Sequence, residues 1–413
     1  MNARTSLVHS PSREALKCLV MALAALAPGG AVSAAGAAQA QAVAPASPSA
    51  QRGTLLRDVQ PQGQRIATTW RAAHELEVVR LVTQTGEREP NTAEVPLVAR
   101  SVEALRFVDE VLARDARGVR DFRREYDSAS ASLEMRDRLA PVESSLRSRV
   151  ELTSDLTGTR VRHVWNPDGT VGRHYDQREA REALLANVGG PLAWGGLLRD
   201  APVELASEWD ISPSALAVLF APVGELGYRG PAEGGDPQLV RSFLQGLGGN
   251  LHLGFAGHVQ GTARGQLFEL GVVDGHKRAT VRVTFEIELT ADGTDFARRR
   301  ALETEREDGV EVLESSTRHV LKGAVDVRWD VDGRRPLDAR LTADETVELR
   351  IVVQPEEGER ATQRVEFKGT CTIEMALAPA PKASNEPGDI APGDTEPGDI
   401  KRGQDARGGS DRK

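Results

Sequence analysis

Between residues 281 and 289 apolar and polar side chains alternate without a break, with Val281, Val283, Phe285, Ile287 and Leu289 set against Arg282, Thr284, Glu286 and Glu288. A period of two is the mark of a strand with one dry and one wet face. The same pattern returns at Leu321 to Val331, at Val347 to Val353, and at Val365, Phe367, Cys371, Ile373, Met375 and Leu377. Four long amphipathic strands predict an antiparallel sheet whose apolar face something else must cover. In the N-terminal part Leu76 to Val82, Val102 to Leu112, Val119 to Tyr126, Val150 to Leu156 and Val161 to Tyr175 read as further strands and hairpins. Asp274-Gly275, Asp332-Gly333 and Asn166-Pro167-Asp168-Gly169 supply the turns, the last with a glycine bulge that sets His163 and His174 on opposite faces.

A change of period marks residues 176–248 as a helical insert. Asp176 with Glu179 opens a helix that runs to Val188 and stops at Gly189-Gly190. Ser212-Pro213 and Asp236-Pro237 each pair an N-cap with a first-turn proline ahead of an apolar run. The expected fold is therefore α+β: a mainly antiparallel, long-stranded, half-barrel-like sheet with a few short covering helices. The helices from Pro213 and Pro237 are expected to lie on the apolar face, leaving part of it free for a ligand.

The segments FVDEVLARDARGVRDFRREYD (107–127) and WDVDGRRPLDARL (329–341) resemble stretches that recur in large uncharacterised exported bacterial proteins. The sheet with a helical cover is similar in outline to lipoprotein-carrier half-barrels. Both resemblances imply architecture only and bring no catalytic or ligand residue with them.

The first 40 residues have the order of a secretory signal peptide: Arg4, Arg13 and Lys17, the apolar run Cys18 to Ala27, then small residues with candidate cleavage sites after Ala34 and Ala40. Residues 41–52 read as a linker, and 53–377 as the folded part, in one domain or two lobes joined by the insert. Residues 378–413, low in complexity with EPGDI, APGDT and EPGDI in tandem, read as a disordered tail. No later apolar run is long enough for a spanning helix. The expected product is soluble, in the periplasm or outside the cell.

The 52 basic and 61 acidic residues give a formal charge of -9, which disfavours nucleic acid as a partner. Only Cys371 survives signal removal, so no internal disulfide can form, and its strand position makes it a buried, inert thiol. No histidine pair has HExxH spacing, His252 and His258 lie too far apart along a strand to share an ion, and the histidines are expected to face solvent. Asp330-Val331-Asp332-Gly333 lacks the rest of a calcium loop and reads as a turn, while Gly246 to Gly249 follows a helix and reads as its stop. GxSxG is absent, the charged run Arg298 to Asp308 reads as solvated surface, and Trp70, Trp165, Trp194, Trp209 and Trp329 read as core.

No catalytic, cofactor or metal residue is therefore assigned. The expected function is an exported, non-catalytic module that binds an apolar ligand or a protein partner on its sheet. The alternatives are a structural or assembly component of the periplasm or cell surface, and a hydrolase whose site is gathered from distant residues.

Overall fold

The computed structural model describes residues 53–381, apart from 116–117, 142–144, 177–181, 187, 225, 230–254, 256–257, 295–296, 299–309 and 356–357. The signal peptide, the linker, the helix expected from Pro237, the glycine run at 246–249, His252 and nearly all of the tail lie outside the described residues.

Fourteen strands form one antiparallel sheet. They are β1 (Arg65–Thr85), β2 (Asn91–Ala93), β3 (Leu97–Asp115), β4 (Gly118–Asp137), β5 (Leu146–Ser154), β6 (Arg160–Trp165), β7 (Val171–Tyr175), β8 (Glu208–Ile211), β9 (Tyr228–Arg229), β10 (His258–Val273), β11 (His276–Asp292), β12 (Val310–Asp330), β13 (Arg335–Pro355) and β14 (Ala361–Pro379). The order across the sheet is β7-β6-β4-β3-β1-β14-β13-β12-β11-β10-β8, with β2, β5 and β9 beside this path. Its end strands do not pair with each other, so the sheet stays open. Pairing of β1 with β14 joins the N-terminal and C-terminal halves of the chain into one ladder.

The strands are much longer than the apolar alternation foretold, and β14 runs past residue 377 to Pro379. One face carries Trp70, Leu76, Val283, Leu321, Ile373 and their neighbours, all buried. The opposite face carries ion pairs between strands, such as Arg282 with Asp326 and Arg328 with Asp338. Pairs this exposed contribute little each, about 0–1 kcal/mol. What holds the sheet is the burial of its inner face, at roughly 25 cal/mol per Å² of apolar surface.

Two glycines are placed by backbone demands. The β10–β11 hairpin turns through Asp274 and Gly275 at φ of 51° and 79°, the pair of positive values that a type I′ turn requires. Gly369 of β14 lies so close to β1 that a Cβ there would collide with the Glu75 carbonyl. At the other expected turns, Gly169 takes a positive φ, whereas after Asp332-Gly333 it is Arg334 that does so, while the Asp330 carboxylate accepts the Gly333 N–H. Asp330 to Gly333 is thus a capped hairpin turn.

The described part of the insert covers the inner face with short helices, on a sheet that is antiparallel as expected. Its described helices are α1 (Glu182–Leu185) and α2 (Ala217–Phe220), each a single turn, with 3-10 turns at Trp194–Leu197 and Pro213–Leu216. Pro222, two positions beyond Phe220, prevents the second from continuing. The insert is fastened through its backbone: Trp70 Nε1 donates to the Leu219 carbonyl at 2.8 Å and Trp209 Nε1 to the Leu197 carbonyl at 3.1 Å. Phe220 stacks edge-on against Phe285 with centroids 5.9 Å apart. Arg124 binds Asp109 through two bonds of 2.6 and 2.8 Å and also donates to the Gly189 and Pro222 carbonyls.

The segment ahead of β1 crosses the insert, where Thr54 pairs with Val203. Burial pushes the Asp58 carboxyl up from 3.8 to about 6, against the pull of Arg114 and of the Gly195 and Trp194 N–H groups. Because the folded-state value is raised, the stability that Asp58 contributes is full below its ordinary value of 3.8 and is lost as the pH rises through about 6. Thermal melts should therefore show the Asp58→Asn variant level with the native chain at pH about 4 and more stable than it at pH about 7. Parallel melting curves across that range would contradict the buried carboxyl.

Candidate functional site

Within the apolar inner face four successive strands of the sheet each contribute one chemically active side chain: His74 from β1, Cys371 from β14, Glu345 from β13 and His319 from β12. The register explains the meeting. His74 is paired directly with Cys371, and Glu345 is paired with Gly369, which is in turn paired with Leu76. Since Gly369 presents no side chain, the Glu345 carboxylate reaches across it to the His74 ring. His74 Nδ1 lies 2.7 Å from Glu345 Oε2, and His74 Nε2 lies 4.0 Å from Cys371 Sγ. His319 Nδ1 stands 3.4 Å from Glu345 Oε1. All four residues are buried, Cys371 to 0% exposure. Beside them Glu103 of β3, also buried, accepts a long bond of 3.5 Å from the Tyr228 hydroxyl.

Protons are shared unequally here. Burial works against the His74 imidazolium, but the Cys371 sulfur and the Glu345 carboxylate at its two ring nitrogens outweigh it and hold His74 well above the ordinary histidine value. Since burial also pushes the Cys371 thiol up and keeps it neutral, Glu345 is the partner that retains the His74 proton. Burial would raise Glu345 as well, yet His74 and His319 draw it down to about 2. Burial takes Glu103 up to about 7, against the attraction of His74. The resting arrangement is a buried His74–Glu345 ion pair beside a neutral thiol.

Three buried polar atoms at this site have no hydrogen-bond partner: both ring nitrogens of His319 and Glu345 Oε1. Such atoms cost about 1–3 kcal/mol each when nothing answers them. Carboxylate, imidazole and thiol in this sequence are also the components of a nucleophilic triad. Here they are enclosed by apolar side chains.

This cluster overturns the expectation that the histidines face solvent. His74 and His319 are buried, and so is His163, whose ring packs edge-on against Phe122 and which burial, with Arg124 nearby, drives down to about 3. His163 pairs with Arg173 and His174 with Arg162, so the two histidines lie on opposite faces, as the bulge reading has it. His258 is exposed at the start of β10, and most of the run at 298–308 lies outside the described residues. Cys371 is on the inner face, as its alternation indicates. The signal for the cluster was present as a polar residue at an apolar position of each strand: Trp70, Ala72, His74, Leu76 in β1 and Leu341, Ala343, Glu345, Val347 in β13.

The far end of β10 forms a second feature. Strand β8 pairs with β10 only from Ala263 to Gln266. After two further backbone bonds at Leu267 the chain turns away through Ala206, at a φ of 64°. Among the described residues no strand pairs with the open edge of residues 268–273. Phe268, Leu270, Val272 and Val273, all in this stretch, are four of the eight large apolar side chains that stand exposed among the described residues. Phe268 occupies a bulge between Leu267 and Glu269, where the strand leaves the covered core.

No family model matches the chain, and no curated protein does. Among solved structures it is similar to an outer-membrane channel from Pseudomonas putida F1, at 10% identity and a TM-score of 0.20, over 78% of this chain and 98% of that one. It is similar also to the outer-membrane protein OprG from Pseudomonas aeruginosa, at 5% identity and a TM-score of 0.18, over 78% and 100% of the two chains. OccAB4 from Acinetobacter baumannii matches at 6% identity and a TM-score of 0.18, over 77% and 99%. TM-scores of this size do not establish a shared fold. The likeness to lipoprotein-carrier half-barrels finds no support in these comparisons.

Proposed function

We propose that this chain is an exported, non-catalytic assembly module of the cell envelope, whose copies join edge to edge through β10. The observation that carries this reading is the unpaired edge at residues 268–273 with its four exposed apolar side chains. An open, apolar edge strand is a template for another strand, and proteins that do not use one usually shield it with charge, proline or a covering loop. A second copy fits by register. Antiparallel pairing about a two-fold axis at Gly271 sets Leu270 against Val272 and Glu269 against Val273, with no like charges opposed.

We rank an apolar-ligand module below this reading, because Phe285 is buried against Phe220 of the insert. A hydrolase is disfavoured by the enclosure of Cys371. The ion pairs on the outer face support a sheet that faces water there, since a lipid-facing sheet carries an apolar band outward.

The test is sedimentation equilibrium of the mature chain over a dilution series. A dimer that dissociates on dilution is expected for the native chain, and a monomer with unchanged circular dichroism for the double variant Phe268→Lys/Val272→Lys. A native chain that stays monomeric at the highest concentration, or a double variant that still dimerises, overturns the proposal.

A further inference from the structure

We propose that His74, Glu345 and Cys371 hold one divalent transition-metal ion of the zinc class inside the sheet. One donor atom from each lies within 4.8 Å of the others. His319 stands behind the same carboxylate, its Nδ1 3.4 Å from Glu345 Oε1, and supports it rather than the ion. Tetrahedral zinc bonds of roughly 2.0–2.3 Å place neighbouring donors about 3.3–3.8 Å apart, within the span seen here, so small side-chain rotations suffice to close the shell.

Three independent features point to a cation. The first is the convergence, for an imidazole, a carboxylate and a thiol from three neighbouring strands turn toward one another in an apolar interior and leave Glu345 Oε1 without a hydrogen bond. The second is the donor set. An imidazole, a thiolate and a carboxylate suit zinc, cobalt or copper and are foreign to calcium or magnesium, which take oxygen alone. The third is charge. Once the thiol proton and the extra His74 proton have left to solvent, thiolate and carboxylate cancel a divalent ion, so the loaded site is neutral and loses the cost of a bare charge in low dielectric.

The ligands also sit on rigid elements. Each is on a different strand of a continuous ladder, held by backbone pairing on both sides, and such a site is preorganised in a way that loop ligands are not. Bound there, the ion would tie β1, β14 and β13 across the junction where the two halves of the chain meet. Its role would be structural, because no open position faces solvent.

The experiment uses the full mature chain, folded from denaturant with cobalt(II), then freed of loose metal by gel filtration, since a closed site loads during folding. The expected result is one cobalt per chain by elemental analysis, with a sulfur-to-cobalt charge-transfer band in the near ultraviolet. Cys371→Ser should lose that band while circular dichroism remains native. Should that variant not fold, His74→Gln serves in its place and is expected to shift the visible cobalt bands while keeping the charge-transfer band. A natively folded chain that retains no cobalt, or one that holds cobalt without the sulfur band, overturns the assignment and leaves the cluster as a buried ion pair.

Discussion

Asp109→Ala is expected to remove about 3–5 kcal/mol of stability, read as a lower urea midpoint with an unchanged slope. The Arg124 guanidinium is fully buried, lies 4.5 Å from the centroid of the Phe107 ring, and has Asp109 as its ion partner. Deleting the carboxylate strands a cation that cannot lose its charge in the folded state. Arg124 also donates to the Gly189 and Pro222 carbonyls, so the loss should reach the insert and loosen its hold on the sheet. The double change Arg124→Met/Asp109→Leu should recover most of the deficit, because an apolar pair leaves no charge to satisfy. A single-variant cost below about 1 kcal/mol would mean that water reaches Arg124.

Phe285→Asp should abolish folding. The ring is 4% exposed and packs between the sheet and Phe220. Losing it costs about 3–5 kcal/mol, and an unpaired carboxylate in its place adds several more. Together these rival the whole stability of an ordinary domain, about 5–15 kcal/mol. Circular dichroism of the variant should lack the strand signal, while Phe285→Leu, which keeps most of the apolar volume, should fold with a lower melting temperature. A Phe285→Asp variant with native melting behaviour would show the face to be open and would return the apolar-ligand reading.

Much of the sheet was legible because period-two alternation is a local property. Val281 to Leu289 places its side chains correctly from its own pattern, as do Phe367 to Leu377. Strand ends were misjudged for a single reason: readings that began at Leu76, Leu321 and Val347 stopped two residues short of His74, His319 and Glu345, where a polar side chain interrupts the apolar series. The residues that ended each pattern are the ones that converge. Helix signals failed differently. Ser212-Pro213 does start a turn at the stated place, but Pro222 limits the helix that follows it to a single turn.

Amino-acid order alone therefore determined the strand faces, the burial of Cys371, the position of the turns and the place of the insert, since these depend on residues within a few positions of one another. Tertiary structure decided which strands become neighbours. Pairing of β1 with β14, residues some 300 positions apart in the chain, brings His74 to Cys371, and the register of β13 brings Glu345 over Gly369. A one-residue slip in either ladder would turn the donors to opposite faces and dissolve the cluster. It likewise decided that β8 stops at Gln266 and leaves the rest of β10 bare, because the length of a neighbouring strand is set by where its own chain must turn.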